Sequence, residues 1–306
     1  MLKATPGSLR PIDGLALVII VICCACWGLN QVAVKVANAG IPPMLQAGLR
    51  SALSAVLLWG WTLARGIPLF GRDGTLLAGL SAGTIFGCEF MVLYKGLALT
   101  AASRGVLFLY STPFFVAIGA HILIPGDRLT ATKAIGLLAA FAGLAVALGE
   151  GLFGGGSGGD LAGDFMCLLA GVGWAATTLI IRASSLRFAS AEKVLFYQLG
   201  VSAPLLIIAS LIGGEGWPSF TEPWVALAFG YTVVIVAFIS YVAWFWLLTR
   251  HSPSTMSAFT FLTPIFGAFA GALVLGEPLT ARLLLALVLV AFGIFLVNKP
   301  AAAKAA

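Results

Sequence analysis

A chain of 306 residues, 60% apolar, 9% charged and with a mean hydropathy of +1.07, lies far outside the range of soluble domains. Its charges are segregated, leaving apolar stretches of roughly 18 to 25 residues, the length that crosses a hydrocarbon core. The net charge of +6 sits in short loops beside those stretches and calls for no nucleic-acid partner.

The pattern predicts helices over 15–37, 42–64, 75–99, 104–124, 131–149, 163–186, 192–213, 223–248, 255–275 and 281–298, an all-α integral membrane protein of ten transmembrane helices. The first begins after Lys3 and Arg10 and ends on Ala37-Asn38-Ala39, which imitates a cleavable signal. Its apolar stretch is too long for that role and carries Asn30, Gln31 and Lys35, so it reads as a retained span. Trp27, Gln31 and Lys35 fall on one face, with Asn30 beside them. Cys23-x-x-Cys26 has redox spacing but no second pair or histidine near it, and no metal or cofactor is expected.

The third span repeats glycine at 79, 83 and 87, a spacing that lets two helix backbones approach closely. The same stretch spells Gly79-x-Ser81-x-Gly83, but a nucleophile elbow needs a strand-turn-helix that a continuous span cannot provide. Ser81, Thr84, Cys88 and Lys95 share a stripe, and Glu89 lies about 100° around the helix from it. A charge at that depth costs about 2.5–3.5 kcal/mol on insertion scales, so it faces a partner or a cavity. Glu89 therefore either closes an ion pair with Arg50 or Lys95, or forms a substrate or proton site.

Pro113 and Pro264 each fall well inside a span, where a missing N–H and a clash with the preceding turn loosen the helix. They are candidate gating positions, with a fixed packing bend as the alternative. Asp127 and Glu277 occupy equivalent tight connections, each followed by Leu-Thr, and read as helix-capping loops with Thr130 and Thr280 as N-caps. The Gly-rich stretch before Asp160 lacks G-K-[ST], so no ATP-binding loop is present, and His121 and His251 have no partner for intramembrane hydrolysis. The chain does not read as an enzyme. Trp59, Trp61, Trp217 and Trp224 suit the interfacial belts, whereas Trp27, Tyr94, Tyr110, Trp174, Tyr241 and Trp244 lie deeper.

The stretch from Leu109 reads like the stretch from Thr260: Pro113 aligns with Pro264, Phe115 with Phe266, Asp127 with Glu277 and Gly143 with Gly293. Two copies of a five-helix unit must enter the membrane in opposite directions, an inverted repeat of the kind used for alternating access. The predicted division is a first repeat over 1–150, a Gly-rich external linker over 151–160, a second repeat over 161–298 and a tail over 299–306. Twelve Lys and Arg fall on one side (Lys3, Arg10, Arg65, Arg72, Arg128, Lys133, Arg182, Arg187, Lys193, Arg250, Lys299 and Lys304), against Arg104 and Arg282 on the other. That asymmetry puts both termini in the cytoplasm.

Several ordered segments carry a resemblance: Cys26-Trp27-Gly28 through Lys35, Gln46-Ala47-Gly48-Leu49-Arg50, Leu97–Ser103 followed by Pro113, Gly163-Asp164 with Trp174, and Pro264 through Leu275-Gly276-Glu277-Pro278-Leu279-Thr280. Over essentially its whole length the chain resembles the EamA-type members of the drug/metabolite transporter superfamily. Gly126-Asp127 stands where that pattern usually has Gly-Glu. The resemblance implies a central cavity lined by helices one, three, four, six, eight and nine. It also implies export or exchange of small metabolites, often amino acids, without ATP, in the inner (plasma) membrane. The aromatic-amino-acid exporters belong to the same group.

These readings converge on a secondary transporter of small organic metabolites, with amino acids, aromatic ones included, as the expected substrates. The expected site is Trp27, Asn30, Glu89, Lys95, Tyr110, Trp174 and Trp244. Lys95 or Asn30 would face a carboxylate, Glu89 an ammonium, and the aromatics a side chain. Lys95, Arg50 and Lys35 could also suit a phosphate, but Glu89 argues against a dianion. Alternatives are a proton-coupled pump for lipophilic cations and a receptor or scaffold that transports nothing. The expected partners are the bilayer and a small solute, for a monomer or homodimer.

Overall fold

The computed structural model describes residues 10–99, 102–147, 161–220, 222–275 and 281–299, and every extended element among them is helical. The first half contains α1 (Gly14–Ala37), α2 (Pro43–Arg65), α3 (Leu76–Leu99), α4 (Ala102–Leu109), α5 (Thr112–Leu123) and α6 (Ala131–Ala147). The second contains α7 (Leu161–Ala183), a 3-10 turn (Ser185–Phe188), α8 (Ala191–Ile212), α9 (Pro223–Tyr231), a π-helical stretch (Thr232–Ser240), α10 (Tyr241–Leu248), α11 (Pro253–Phe259), α12 (Leu262–Leu275) and α13 (Ala281–Asn298). Arg10 and His251 form an isolated bridge.

Among the described residues, six helices are long and apolar enough to cross a membrane, at 14–34, 76–97, 105–123, 161–183, 191–212 and 223–248, with shorter apolar helices at 131–146 and 284–298. That is fewer than the ten spans the hydropathy suggests, for a local reason. Helix α2 has the length, but buries Gln46, Arg50, Ser51 and Ser54 on its inner face.

Helix α1 packs along α12 and α9, α3 lies between α7 and α8, α2 runs along α8, and α6 pairs with α13. Glycines set the close approaches. A Cβ on Gly83 would lie 2.5 Å from the Tyr197 carbonyl oxygen, and one on Gly79 2.4 Å from the Tyr197 ring. The glycine stripe of α3 therefore serves packing, and Ser81 Oγ donates to the Leu77 carbonyl within the same helix (2.9 Å). Gly136 and Gly293 face each other across the α6–α13 contact, where added Cβ atoms would lie 2.7 and 2.4 Å from the opposing carbonyl oxygens.

Both predicted proline bends are breaks. Helix α4 ends at Leu109 and α5 starts at Thr112, with Pro113 in its first turn; α11 ends at Phe259 and α12 starts at Leu262, with Pro264 in its first turn. Pro113 lacks the N–H that would reach the Leu109 carbonyl. Thr112 Oγ1 donates to that oxygen instead (2.6 Å) and also lies 3.0 Å from the Gly171 carbonyl. Thr260 Oγ1 donates to the Ser257 carbonyl (2.6 Å) at the second break. At the first break a hydroxyl thus replaces the backbone donor that proline lacks, whereas at the second the Thr260 carbonyl accepts from Thr263 N (2.9 Å).

Caps follow the residue types: Asp13 accepts from Ala16 N, Ser190 from Lys193 N, Ser252 from Thr255 N and Thr130 from Lys133 N. Asp127 does something else. Its buried carboxylate accepts from Lys133 Nζ (2.7 Å), Ser252 Oγ (2.6 Å), Ser254 N (3.2 Å) and Ser254 Oγ, tying the α5–α6 connection to the start of α11. Burial alone would raise its pKa, but these hydrogen bonds and the Lys133 charge hold it below the usual carboxylate range. Glu277, Thr280 and the 151–160 linker lie outside the described residues.

Candidate functional site

Between the halves lies a cavity of about 150 Å³ with an aromatic wall and a few buried polar groups. Helix α1 contributes Trp27 and Asn30, α2 Arg50, α3 Phe86, Glu89, Phe90 and Leu93, α7 Trp174, Thr177 and Thr178, and α8 Gln198. Leu109 and Tyr110 reach it from the break before α5, Val236 from the π-helical stretch, and Tyr241, Trp244 and Phe245 from α10.

The aromatic rings are locked edge to face. Trp27 meets Trp244 at 5.0 Å between ring centres and Tyr241 at 6.1 Å, and Tyr110 meets Trp174 at 5.8 Å. Trp27 Nε1 donates to Ser240 Oγ (2.8 Å), whose hydroxyl donates to the Val236 carbonyl (2.7 Å). The indole therefore sits in a fixed orientation, with its polar edge satisfied by protein.

The polar groups behave oppositely. Glu89 is buried and its Oε2 has no hydrogen-bond partner; Arg50 is buried with Nε and Nη2 unpartnered. Asn30 Oδ1 and Gln198 Oε1 also lack partners. Glu89 and Arg50 form no salt bridge, with each other or with any other described residue. Arg50 instead stands over the Phe90 ring, 4.9 Å from its centre. Buried polar atoms in native proteins are nearly always satisfied. Among the described residues, one guanidinium, one carboxyl and two amide oxygens thus line a shared space with polar atoms unpartnered.

Two close approaches hold this geometry. A Cβ on Gly173 would lie 3.3 Å from Glu89 Cβ, and one on Gly171 would lie 2.8 Å from the Leu109 carbonyl oxygen. Helix α7 can thus press its backbone against both the aliphatic stem of Glu89 and the helix break.

Of the residues expected at the site, Trp27, Asn30, Glu89, Tyr110, Trp174 and Trp244 line the cavity. Lys95 does not; it is exposed. At six positions beyond Glu89 the helix has turned about 120° away, so the two side chains cannot share a wall. Among the described residues, Arg50 is the cation that faces the space. The Gln31 and Lys35 side chains lie outside the described residues. Sequence reasoning overlooked Gln198, Phe86 and Phe90; an uncharged amide in the middle of an apolar helix was the available signal for Gln198. No described residue of α11 or α12 is in the lining, while α2 and α8 contribute to it, which departs from the lining the family resemblance implies. Helix α12 instead packs behind α1, where a Cβ on Gly28 would lie 2.6 Å from Gly267 N.

The cysteines at 23, 24, 26, 88 and 167 are free, and no cluster of metal-ligating side chains occurs among the described residues.

A model of the EamA-like transporter family matches residues 14–149 and 161–299. The chain belongs to this family. It is 30% identical to the uncharacterized transporter YvbV of Bacillus subtilis, over 92% of this chain and 90% of that one. It is 29% identical to a probable amino-acid metabolite efflux pump of Salmonella typhimurium, over 93% of this chain and 94% of the relative. The corresponding Escherichia coli protein is 27% identical over 93% and 94%. A protein of known crystal structure superposes with a TM-score of 0.76 at 19% identity, covering 91% of this chain and 96% of its own, and so has the same fold. EamA-like membership together with the apolar helices makes the protein a multi-pass membrane transporter.

Proposed function

We propose that the protein is a secondary transporter that exports or exchanges small zwitterionic metabolites, amino acids with aromatic side chains among them. The observation that carries this reading is the unpaired Arg50 and Glu89 sharing one aromatic-walled cavity. Arg50 would take the carboxylate and Glu89 the ammonium. Asn30 and Gln198 would add acceptors for the ammonium, and Trp27, Tyr110, Trp174 and Trp244 would enclose the side chain. The substrate would bring a carboxylate to Arg50 and an ammonium to Glu89, so binding would give partners to two buried, unpaired groups together. A lipophilic cation would satisfy Glu89 and meet Arg50, which weighs against the drug-pump alternative. The names of the Salmonella and Escherichia relatives agree with an amino-acid metabolite as cargo.

Movement would come from two inverted five-helix repeats rocking about this site, with the α4–α5 and α11–α12 breaks at Pro113 and Pro264 as gates. Packing supports that symmetry. Exchanging the halves converts the α3–α7 contact into that of α1 with the α9–α10 span, and α4 and α5 on α7 into α12 on α1. Under the same exchange α2–α8 and α6–α13 map onto themselves. The Lys and Arg asymmetry supports cytoplasmic termini in an inner membrane.

Counterflow in proteoliposomes preloaded with unlabelled amino acid tests the reading. Uptake of labelled aromatic amino acid, absent from protein-free vesicles and competed by other zwitterions, is expected. Exchange of a lipophilic cation alone, or of no amino acid tried, refutes it.

A further inference from the structure

A second, larger hollow opens away from the central cavity. It has a volume of about 620 Å³ and lies between the α2–α3 connection, the first turns of α3 and the first turns of α8. Leu76, Leu80, Phe196 and Val201 make its walls apolar, and Arg72 and Lys193 stand at its mouth. Phe70, 74% exposed, leans edge-on against Phe196 (5.6 Å between ring centres) and forms one lip.

The mouth is built. Lys193 Nζ binds Asp73 Oδ2 (2.7 Å), Thr75 Oγ1 donates to Asp73 Oδ1 (2.6 Å), and Tyr197 Oη lies 3.2 Å from the Thr75 hydroxyl. This chain fixes the connection against α8. Lys193 is therefore neutralised, and Asp73, pulled down to about 2 by that ammonium and by Thr75, keeps its negative charge. Arg72 is exposed and has no carboxylate partner among the described residues, leaving the rim with a net positive charge. Arg65, stacked on Trp61 (5.3 Å), ends the helix that leads into the same connection.

Gly200 explains why the space is open. It lies inside α8 with ordinary helical φ, where glycine costs about 1 kcal/mol relative to alanine. Unlike Gly79 and Gly83, it faces no neighbouring backbone: the nearest atom to an added Cβ is Phe196 Cε1, at 4.0 Å. Its missing side chain serves neither close packing nor an unusual turn. What it leaves is room.

The dimensions select an occupant. From Lys193 to Val201 is eight residues, about 12 Å along the helix, close to the depth of one leaflet's hydrocarbon, about 15 Å. The ligand must therefore have a negative head at the Arg72 level and an apolar chain along Leu80, Phe196, Gly200 and Val201. A free anion would leave the apolar wall bare, and an uncharged lipid would leave Arg72 unmatched. We propose that this crevice binds an anionic phospholipid, head at Arg72 and one acyl chain lying over Gly200. Basic pockets between membrane helices take such headgroups on the same electrostatic grounds. The site is separate from the central cavity and does not depend on what that cavity carries.

Native mass spectrometry of delipidated protein, with phosphatidylglycerol and phosphatidylcholine added in equal amounts, tests this. The wild type is expected to retain phosphatidylglycerol over phosphatidylcholine by about fivefold, the effect of one basic side chain at a membrane surface. Arg72→Gln, on an exposed loop, should bring that ratio close to one. Gly200→Leu, which fills the crevice, should reduce retention of both lipids, with the unfolding temperature in detergent not lowered. Equal retention by the wild type overturns the proposal, as does an undiminished preference in Arg72→Gln. A Gly200→Leu protein that keeps its lipid but changes oligomeric mass would assign the crevice to a second copy and overturn it as well.

Discussion

Replacing Asp127 by Asn tests whether the α5–α6 connection is anchored to α11 by charge. The Asp127 side chain is fully buried and its Lys133 partner is 17% exposed. Removing one partner of a buried pair costs about 3–5 kcal/mol. Asparagine keeps one acceptor for the serine hydroxyls, and Lys133 can regain some water, so the lower part of that range applies. Ser252 also caps α11 through Thr255 N (3.2 Å), and disturbing it adds about 1 kcal/mol. We therefore expect a loss of about 4 kcal/mol, about a thousandfold in the folding equilibrium, measured by equilibrium unfolding in mild detergent. In a Lys133→Met background the same change should cost at least about 1 kcal/mol less, because the pair is already broken. The pH dependence has a definite sign. Asp127 is held below the usual 3.8, so its contribution is complete above that value and is lost as pH falls through the lower folded value. The acid limb of the stability curve should be shallower in Asp127→Asn. A change below about 0.5 kcal/mol, or full additivity with Lys133→Met, would refute the reasoning.

Arg50→Gln and Glu89→Gln should each raise the half-saturation concentration for a zwitterionic substrate by about tenfold or more, the worth of a charged hydrogen bond. Because neither group has an ionic partner among the described residues, unfolding in detergent should show no loss of stability; a large loss would mean a structural role. Gly28→Ala should cost about 1–3 kcal/mol, since its Cβ would lie 2.6 Å from Gly267 N, whereas Gly60→Ala, with nothing within 4 Å, should be neutral or slightly stabilising. Parallel unfolding curves for those two variants would show that the α1–α12 approach is not tight. Glu215→Gln should loosen the start of α2 by about 1 kcal/mol, because Glu215 accepts from Met44 N (3.1 Å) and Leu45 N (2.8 Å) where Pro42 offers no cap. Unchanged hydrogen exchange in the first turn of α2 would contradict that role.

What the sequence made legible follows the range of the forces involved. Helix positions and the two proline breaks are local, set by apolar run length and a missing N–H, and both could be read along the chain. The deep placement of Trp27, Glu89, Tyr110 and Trp174 was readable because a polar or aromatic group at membrane depth has few alternatives. Lys95 was misplaced because depth along a helix does not fix direction around it. Asp127 read as a local cap because its serine partners lie 125 and 127 residues further on. Gln198 was overlooked because an uncharged amide carries little weight in hydropathy, although its carbonyl oxygen is as unsatisfied as the Glu89 carboxylate oxygen.

The π-helical stretch at Thr232–Ser240 has a further consequence, for indexing. Each of its turns takes one residue more than an α-turn, so it sets the angular phase at which Tyr241, Trp244 and Phe245 leave the axis. Winding the same residues as ordinary α-helix would give better hydrogen bonds throughout. Because a π turn holds more residues than an α turn, that rewinding would rotate all three rings about the axis, separating Trp244 from Trp27 and Ser240 from the indole it orients. The more regular helix would thus be the less useful one. In this span an uncommon winding sets the direction in which one wall of the cavity points.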